Sequence, residues 1–273
     1  VVARPFEGLA SECDWIALRE VVPSATAPLR LADPALAERD VTLATVLPMA
    51  LPALVRPDGR ILLGLQVHAR SGDVSRDLAH ALEQALAAEP GTMLPGGGLP
   101  GPGARLQDLL DPAAALAPTV HPDFGFWLTG ADDDPVNRDV EVQASLERAN
   151  AAVVPTAAVA GTQAGYWCRV GEKAHLRWVL PYDEDDLMDA LARLAADGKL
   201  ALGEGTRYAG SFRAHGRLVP VWDLPADPPA ADWAQPAAEF ADRLAAALAA
   251  PGPLPAAARR ARDGLRGRQL TLR

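Results

Sequence analysis

Residues 165–224 read GYWCRVGEKAHLRWVLPYDEDDLMDALARLAADGKLALGEGTRYAGSFRAHGRLVPVWDL, and this stretch decides the fold. Tyr166, Cys168 and Val170 alternate with Trp167 and Arg169, a period of two that fits a strand with one face in a core. Gly171-Glu172 then supplies a Gly-x pair suited to a tight hairpin, and alternation resumes from His175 to Leu180. Asp183 stands where an N-cap belongs, and Leu187, Met188, Leu191, Leu194 and Ala195 recur at helical spacing until Gly198, which predicts a helix over about 184–197. A second hairpin is expected from Arg207–Ala214 and Leu218–Leu224 around His215-Gly216, with Pro220 marking its return strand as an edge or a bulge.

Working outward, Trp233, Ala237, Phe240, Leu244 and Leu248 line one face of what reads as the last helix, ended by Pro251 and Pro253. Beyond Pro255 only a short Ala- and Arg-rich helix is expected, in a basic tail over 251–273 that reads as a solvated end. Upstream, Thr42–Leu47, Ala53–Arg56 and Ile61–Val67 read as strands, the last two joined by a Pro57-Asp58-Gly59 turn. A helix capped by Asp73 carries the stripe Val74, Leu78, Leu82, Leu86 and closes at Pro90; Phe124–Leu128 reads as a strand and Val140–Ala151 as a helix. Hairpin, helix, strand and helix thus occur twice. The expected class is α+β, antiparallel sheets covered by helices in two related halves, 1–151 and 165–250. The Gly- and Pro-rich stretch 91–104 is expected to be a mobile loop without regular structure.

Composition narrows the class more than the function. The chain has 273 residues and a formal charge of -9, with 49% hydrophobic and 22% charged residues, which is ordinary for a soluble globular protein. Its 55 Ala against two Lys and two Ile reflect codon bias, so an excess of Arg is weak support for phosphate recognition. Acidity lies in residues 1–150, and the one dense basic cluster is the tail with Arg259, Arg260, Arg262, Arg266, Arg268 and Arg273, so nucleic acid is an expected partner only through that tail. Cys13 and Cys168 are too few for a thiolate zinc site or a disulfide framework and read as reduced thiols. No run approaches the roughly 20 apolar residues of a membrane span, and Val1 to Asp14 lacks the apolar core of a signal peptide. A cytoplasmic location without membrane contact is expected.

Catalytic and cofactor signatures fail on chemistry. Gly96, Gly98 and Gly101 have dinucleotide spacing, but a helix precedes them and Pro95, Pro100 and Pro102 remove the amides that would meet a pyrophosphate. Asp132-Asp133-Asp134 reads as a solvated loop and Asp183 to Asp186 as a helix start whose carboxylates complement the dipole. The histidines at 68, 80, 121, 175 and 215 lack metalloprotease pairing; His215 reads as a turn residue and His80 as solvent-facing. Ser211 lacks the second glycine of a nucleophile elbow, and Cys168 reads as an inert core thiol. No metal and no cofactor are expected.

One constellation remains. Arg169 shares a strand face with Trp167, Arg177 shares one with His175, and Arg207, Ser211 and Arg213 share a third by spacing. If these faces fall on one side of one sheet, the guanidiniums and the Trp167 indole converge on a surface fit for a carboxylate or phosphate. The competing reading is the wet face of an antiparallel sheet.

Arg4-Pro5-Phe6-Glu7-Gly8-Leu9, Cys13-Asp14-Trp15-Ile16-Ala17-Leu18-Arg19-Glu20 and Val22-Pro23-Ser24-Ala25-Thr26-Ala27 resemble a family of uncharacterised actinobacterial proteins. Residues 205–224 resemble the same family, and the similarity covers most of the chain. It implies a source lineage and a cytosolic setting, and it carries no activity or site residue.

The first expectation for function is a non-catalytic binding or interaction protein with an unidentified protein partner or a small anion. The alternatives are an enzyme acting on a small anionic metabolite in a groove lined by Arg169, Arg177, Arg207 or Arg213, and a nucleic-acid or ribosome-associated protein using its tail.

Overall fold

A computed structural model describes residues 1–67, 71–96, 98–128 and 135–268. The chain forms two compact units, Val1–Val153 and Val154–Arg273, and it is α+β with two mostly antiparallel sheets.

Unit 1 begins with α1 (Glu12–Glu20) and β1 (Ala25–Leu29), followed by β2 (Val41–Ala44), β3 (Ala53–Val55) and β4 (Ile61–Gly64). Next come α2 (Val74–Ala87), β5 (Met93–Leu94), α3 (Leu106–Leu109), β6 (Thr119–Val120), α4 (Pro135–Arg138) and α5 (Val140–Ala152). The sheet order is β5-β3-β4-β2-β1-β6, with β2 parallel to β4 and the other pairs antiparallel. β3 and β4 meet through the expected Pro57-Asp58-Gly59 turn, where Gly59 takes φ 86 and its N–H donates to Arg56 O at 2.9 Å. α2 packs on β3, β4 and β5 through Leu78, Ala79, Leu82 and Ala85, and Asp73 caps it by accepting the Ser75 and Arg76 N–H groups. A second cluster joins Ala44 and Leu54 to Phe124, Trp127, Val142 and Leu146.

Several expectations for unit 1 are corrected. Phe124–Leu128 is not a strand: Gly125–Trp127 is a 3-10 turn. Phe124 and Trp127 are both buried at a spacing of three, which a turn of three residues satisfies and a strand cannot. Residues 91–104 are not free of regular structure, because Met93-Leu94 pairs with β3 and Arg76 donates to Gly101 O and Ala104 O. The sequence reading also missed β1, whose Pro28 and small alanines hide its alternation, and it missed α1.

Unit 2 consists of β7 (Thr156–Ala158), β8 (Gly165–Val170), β9 (Lys173–Trp178), α6 (Glu184–Ala196), β10 (Arg207–Ala214), β11 (Arg217–Leu224), α7 (Ala234–Leu248) and α8 (Ala256–Arg266). The fully antiparallel order β10-β11-β9-β8-β7 contains both expected hairpins. Gly171 (φ 61) opens the first turn; His215 (φ 46) and Gly216 (φ 78) make the second, both in the left-handed region that a two-residue hairpin needs. α6 ends as its sequence requires, with Gly198 at φ 70 and the Lys199 N–H donating to Leu194 O at 2.8 Å. Leu176, Trp178, Tyr208, Leu218 and Trp222 pack under Leu187, Met188 and Leu191 of α6 and Phe240 and Leu244 of α7.

Here too the structure differs in places. β11 is not an edge strand and the bulge lies in β10, between Tyr208 and Gly210. β11 pairs with β9 only from Val221 to Leu224, so Pro220 sits where no ladder bond on that side is lost. The basic tail is not merely a solvated end: α8 follows α7, buries Ala258 and Leu265, and packs on α6. Arg262 pairs with Asp185 at 2.7 Å and Asp189 at 2.6 Å. The two sheets differ in strand number, order and direction of pairing, so the repeated element order of the sequence does not become a repeated topology.

Candidate functional site

The register of the unit 2 sheet splits the expected arginine surface in two. Arg169 lies opposite Ala174 and Trp167 opposite Leu176, so both belong to the face that α6 and α7 cover. Arg177 lies opposite Tyr166 and Val221, on the other face. Arg207 stands opposite Asp223, which is opposite His175, again on that other face. The extra residue of the β10 bulge then reverses the alternation, and Ser211 and Arg213, opposite Pro220 and Leu218, return to the helix side. Spacing alone puts Arg207, Ser211 and Arg213 together; the bulge separates Arg207 from the other two.

Arg169, Trp167, Arg213 and Arg207 each have a local partner. Arg169 donates to Ala226 O at 2.5 Å, with its guanidinium 5.9 Å from the Trp167 ring centre. Trp167 packs against the unit 2 core. Arg213 is held by Glu184 at 2.7 Å through Nε, and that bond holds the Glu184 carboxyl below its ordinary range and the Arg213 guanidinium above its own. Arg207 donates to Asp223 at 2.5 Å.

On the face away from the helices, Cys168, His175, Asp223 and Arg207 form one cross-strand row, with His175 Nδ1 3.2 Å from Asp223 Oδ1. The order thiol, imidazole, carboxylate suggests a nucleophile, but burial pushes the Cys168 thiol up, against a smaller opposing effect of Arg177. A thiol so shifted is no ready nucleophile at neutral pH. Burial also lowers the His175 pKa below 6.5, with Arg177 and Lys173 acting the same way and Asp223 opposing. The unfolded chain therefore takes up this proton more readily than the fold does, so stability falls as pH drops through about 6.5 and levels off below the folded pKa. His175→Gln should flatten that acid limb in urea denaturation followed between about pH 7 and 5. An unchanged slope would show that other groups set it.

A cavity of about 440 Å³ opens on the helix side of unit 2, at the edge strand β10. Its lining includes Ala195 and Gly198 at the end of α6, Thr206, Arg207 and Tyr208, and Ala261, Gly264, Leu265 and Arg268 of the C-terminal segment. The loop 198–206 is fixed from three sides: Trp222 Nε1 donates to Leu200 O at 2.9 Å, Arg243 Nη2 to Ala201 O at 3.0 Å, and the Leu202 and Gly203 N–H groups to Thr206 Oγ1 at 3.0 Å each. The opposite wall is fixed by the Ser211 N–H donating to Arg268 O at 3.2 Å, a bond that also covers part of the β10 edge.

Tyr208 is 4% exposed and its hydroxyl has no partner at bonding geometry. Burial raises its pKa, while the nearby Ser211 hydroxyl and Arg268 guanidinium pull the other way, so it remains a neutral donor at physiological pH. The Arg268 side chain makes no ion pair among the described residues, and no acidic residue lines the cavity. The last turn of α6 adds little negative character, because Asp197, Gly198 and Lys199 donate to Arg193 O, Ala195 O and Leu194 O.

Of the sequence-predicted residues, only Arg207 lines this cavity. Tyr208 alternates like any core residue, and Arg268 lies in a segment read as solvated; no spacing marks the pair. His68 and Asp132 to Asp134 lie outside the described residues. Among the described residues no group of three His, Cys, Asp or Glu could hold a metal, and no helix is long and apolar enough to cross a membrane. No curated protein and no solved structure matches the chain. A family model does match, over residues 5–273, and by that match the chain belongs to the Family of unknown function (DUF5926).

Proposed function

We propose that the protein is a non-catalytic binding protein whose unit 2 takes a small organic anion into the cavity beside Arg268 and Tyr208, with Arg207 at its rim held by Asp223. The observation that carries this reading is the buried Tyr208 hydroxyl without a partner at bonding geometry, beside the Arg268 guanidinium, which has no ion pair among the described residues. A buried polar group left unsatisfied costs about 1–3 kcal/mol, a cost that an acceptor in the cavity would remove. The apolar lining from Ala195, Leu200, Ala261 and Leu265 suits the body of a carboxylic acid or a phosphate ester better than a bare inorganic ion. Two buried cysteines outside any disulfide, Cys13 and Cys168, fit a reducing cytosol. The nucleic-acid alternative loses support, since Arg262 and Arg266 are engaged with α6 carboxylates.

Calorimetric titration with acetate, benzoate, phosphate and phenyl phosphate tests the site. At least one organic anion should bind, and Tyr208→Phe should weaken it by about 1.5–3 kcal/mol, the range for a hydrogen bond to a charged group. The unliganded variant should be about as stable as the wild type, because the hydroxyl removed makes no hydrogen bond of good geometry. No heat at millimolar ligand, or binding indifferent to both Tyr208→Phe and Arg268→Ala, would end this reading.

A further inference from the structure

Unit 1 has a cavity of its own, about 280 Å³, with chemistry opposite to that of unit 2. One wall is a single stripe of α2, where Asp77, His80, Ala81 and Gln84 follow at helical spacing. The facing wall is the turn after β2, in which Met49 (φ 56) and Ala50 (φ 52) both occupy the left-handed region that favours glycine. Three bonds hold this conformation: the Met49 N–H donates to Ser145 Oγ at 3.0 Å, the Ala50 N–H to Leu47 O at 2.9 Å and the Leu51 N–H to Pro48 O at 3.0 Å. Backbone fixed in so sparsely populated a region is characteristic of ligand clamps. Leu99 and Pro100 complete the walls, and Leu99 remains 61% exposed although it is a large apolar side chain.

The polar groups here are unspent. The His80 ring and the Gln84 amide have no hydrogen bond or ion pair among the described residues. Among the described residues the Asp77 carboxylate accepts only the Ser71 N–H, at 3.1 and 3.3 Å, which leaves acceptor capacity on both oxygens. No Lys or Arg is among the described residues that line the cavity, and an anion there would face the Asp77 carboxylate.

We propose that this cavity binds a neutral planar nitrogen heterocycle of the nucleobase class, as the free base and not as a nucleotide. The amide of Gln84 offers one donor and one acceptor side by side, the pairing that the edge of such a ring presents, and Asp77 accepts from a ring N–H or exocyclic amine. Met49, Leu99 and the two prolines, Pro52 and Pro100, supply apolar surface for the ring faces. The space fits one ring system, and the Asp77 carboxylate disfavours a phosphate.

The test uses the full chain and adenine, guanine, cytosine and uracil as probes, read by calorimetry and by saturation-transfer NMR. At least one base should bind, with its nucleoside monophosphate at least tenfold weaker. Gln84→Leu should weaken the base tenfold or more, and its fold should survive because Gln84 is exposed. Tyr208→Phe, in unit 2, should leave base binding unchanged, so failure here and failure of the anion site are distinguishable. The proposal is overturned if no base binds at millimolar concentration, if the monophosphate binds as well as the base, or if Gln84→Leu and Leu99→Ser both bind like the wild type.

Discussion

Trp222→Ala should destabilise unit 2 by about 3–5 kcal/mol, the usual cost of removing a large buried aromatic side chain. Trp222 is fully buried, meets Tyr208 edge-on at 5.7 Å and Phe240 at 4.9 Å, and donates from Nε1 to Leu200 O at 2.9 Å. Its removal therefore leaves a void among aromatic rings and a carbonyl without its donor. Because that carbonyl belongs to the loop walling the cavity beside Tyr208, for which an anion is proposed, the same variant should weaken anion binding by more than Tyr208→Phe does. Urea denaturation followed by circular dichroism measures the first effect. A loss below about 1 kcal/mol would mean that α7 collapses into the space. Trp222→Phe should recover part of the stability and none of the hydrogen bond.

Gly64→Ala is the second large effect, and its sign is informative. Glycine inside a strand usually costs about 0.5–1 kcal/mol relative to alanine, so the substitution would ordinarily stabilise. At Gly64 a Cβ atom would meet the Leu51 carbonyl oxygen at 2.4 Å and the Leu47 side chain at 3.4 Å. The carbonyl is backbone and cannot rotate away, and the Gly64 N–H donates to Pro52 O at 2.9 Å, which fixes the approach. A loss of about 1–3 kcal/mol is expected for such overpacking. A thermal melt higher than that of the wild type would show that the turn at Leu47–Leu51 yields.

The sequence made legible those elements whose local chemistry leaves one solution. Gly171-Glu172 and His215-Gly216 announce hairpins because few residues take the required φ, and α6 is bracketed by Asp183 and Gly198. Unit 1 is less legible for the same physical reason. Its short strands carry Ala, Pro and Thr in place of alternating large side chains, and Phe124 to Trp127 imitates a strand while burying residues three apart. The arginine surface is divided twice: β8 and β9 put Arg169 and Trp167 on the face opposite to Arg177, and a bulge in β10 then parts Arg207 from Ser211 and Arg213. Ala209 has no partner in the β10 to β11 register, and an alternation counted through it gives the wrong face for all that follows. The cavity residues Tyr208 and Arg268 lie 60 positions apart in sequence and are joined only by the docking of α8, which no local pattern reveals.

The contrast between the two sheets also bears on the order in which the chain can assemble. In unit 2 the neighbours β8 and β9, and β10 and β11, are joined by two-residue turns, so each pair closes at little cost in loop entropy. In unit 1 the bonds from Ser24 to Asp123, Thr26 to His121, Arg105 to Pro5 and Trp127 to Val46 join residues 99, 95, 100 and 81 positions apart. Such distant pairings slow folding, and synthesis delivers this half first. The strands that leave the ribosome earliest therefore wait longest for their neighbours, and β1 must remain unpaired on its β6 side until the chain has grown past Val120.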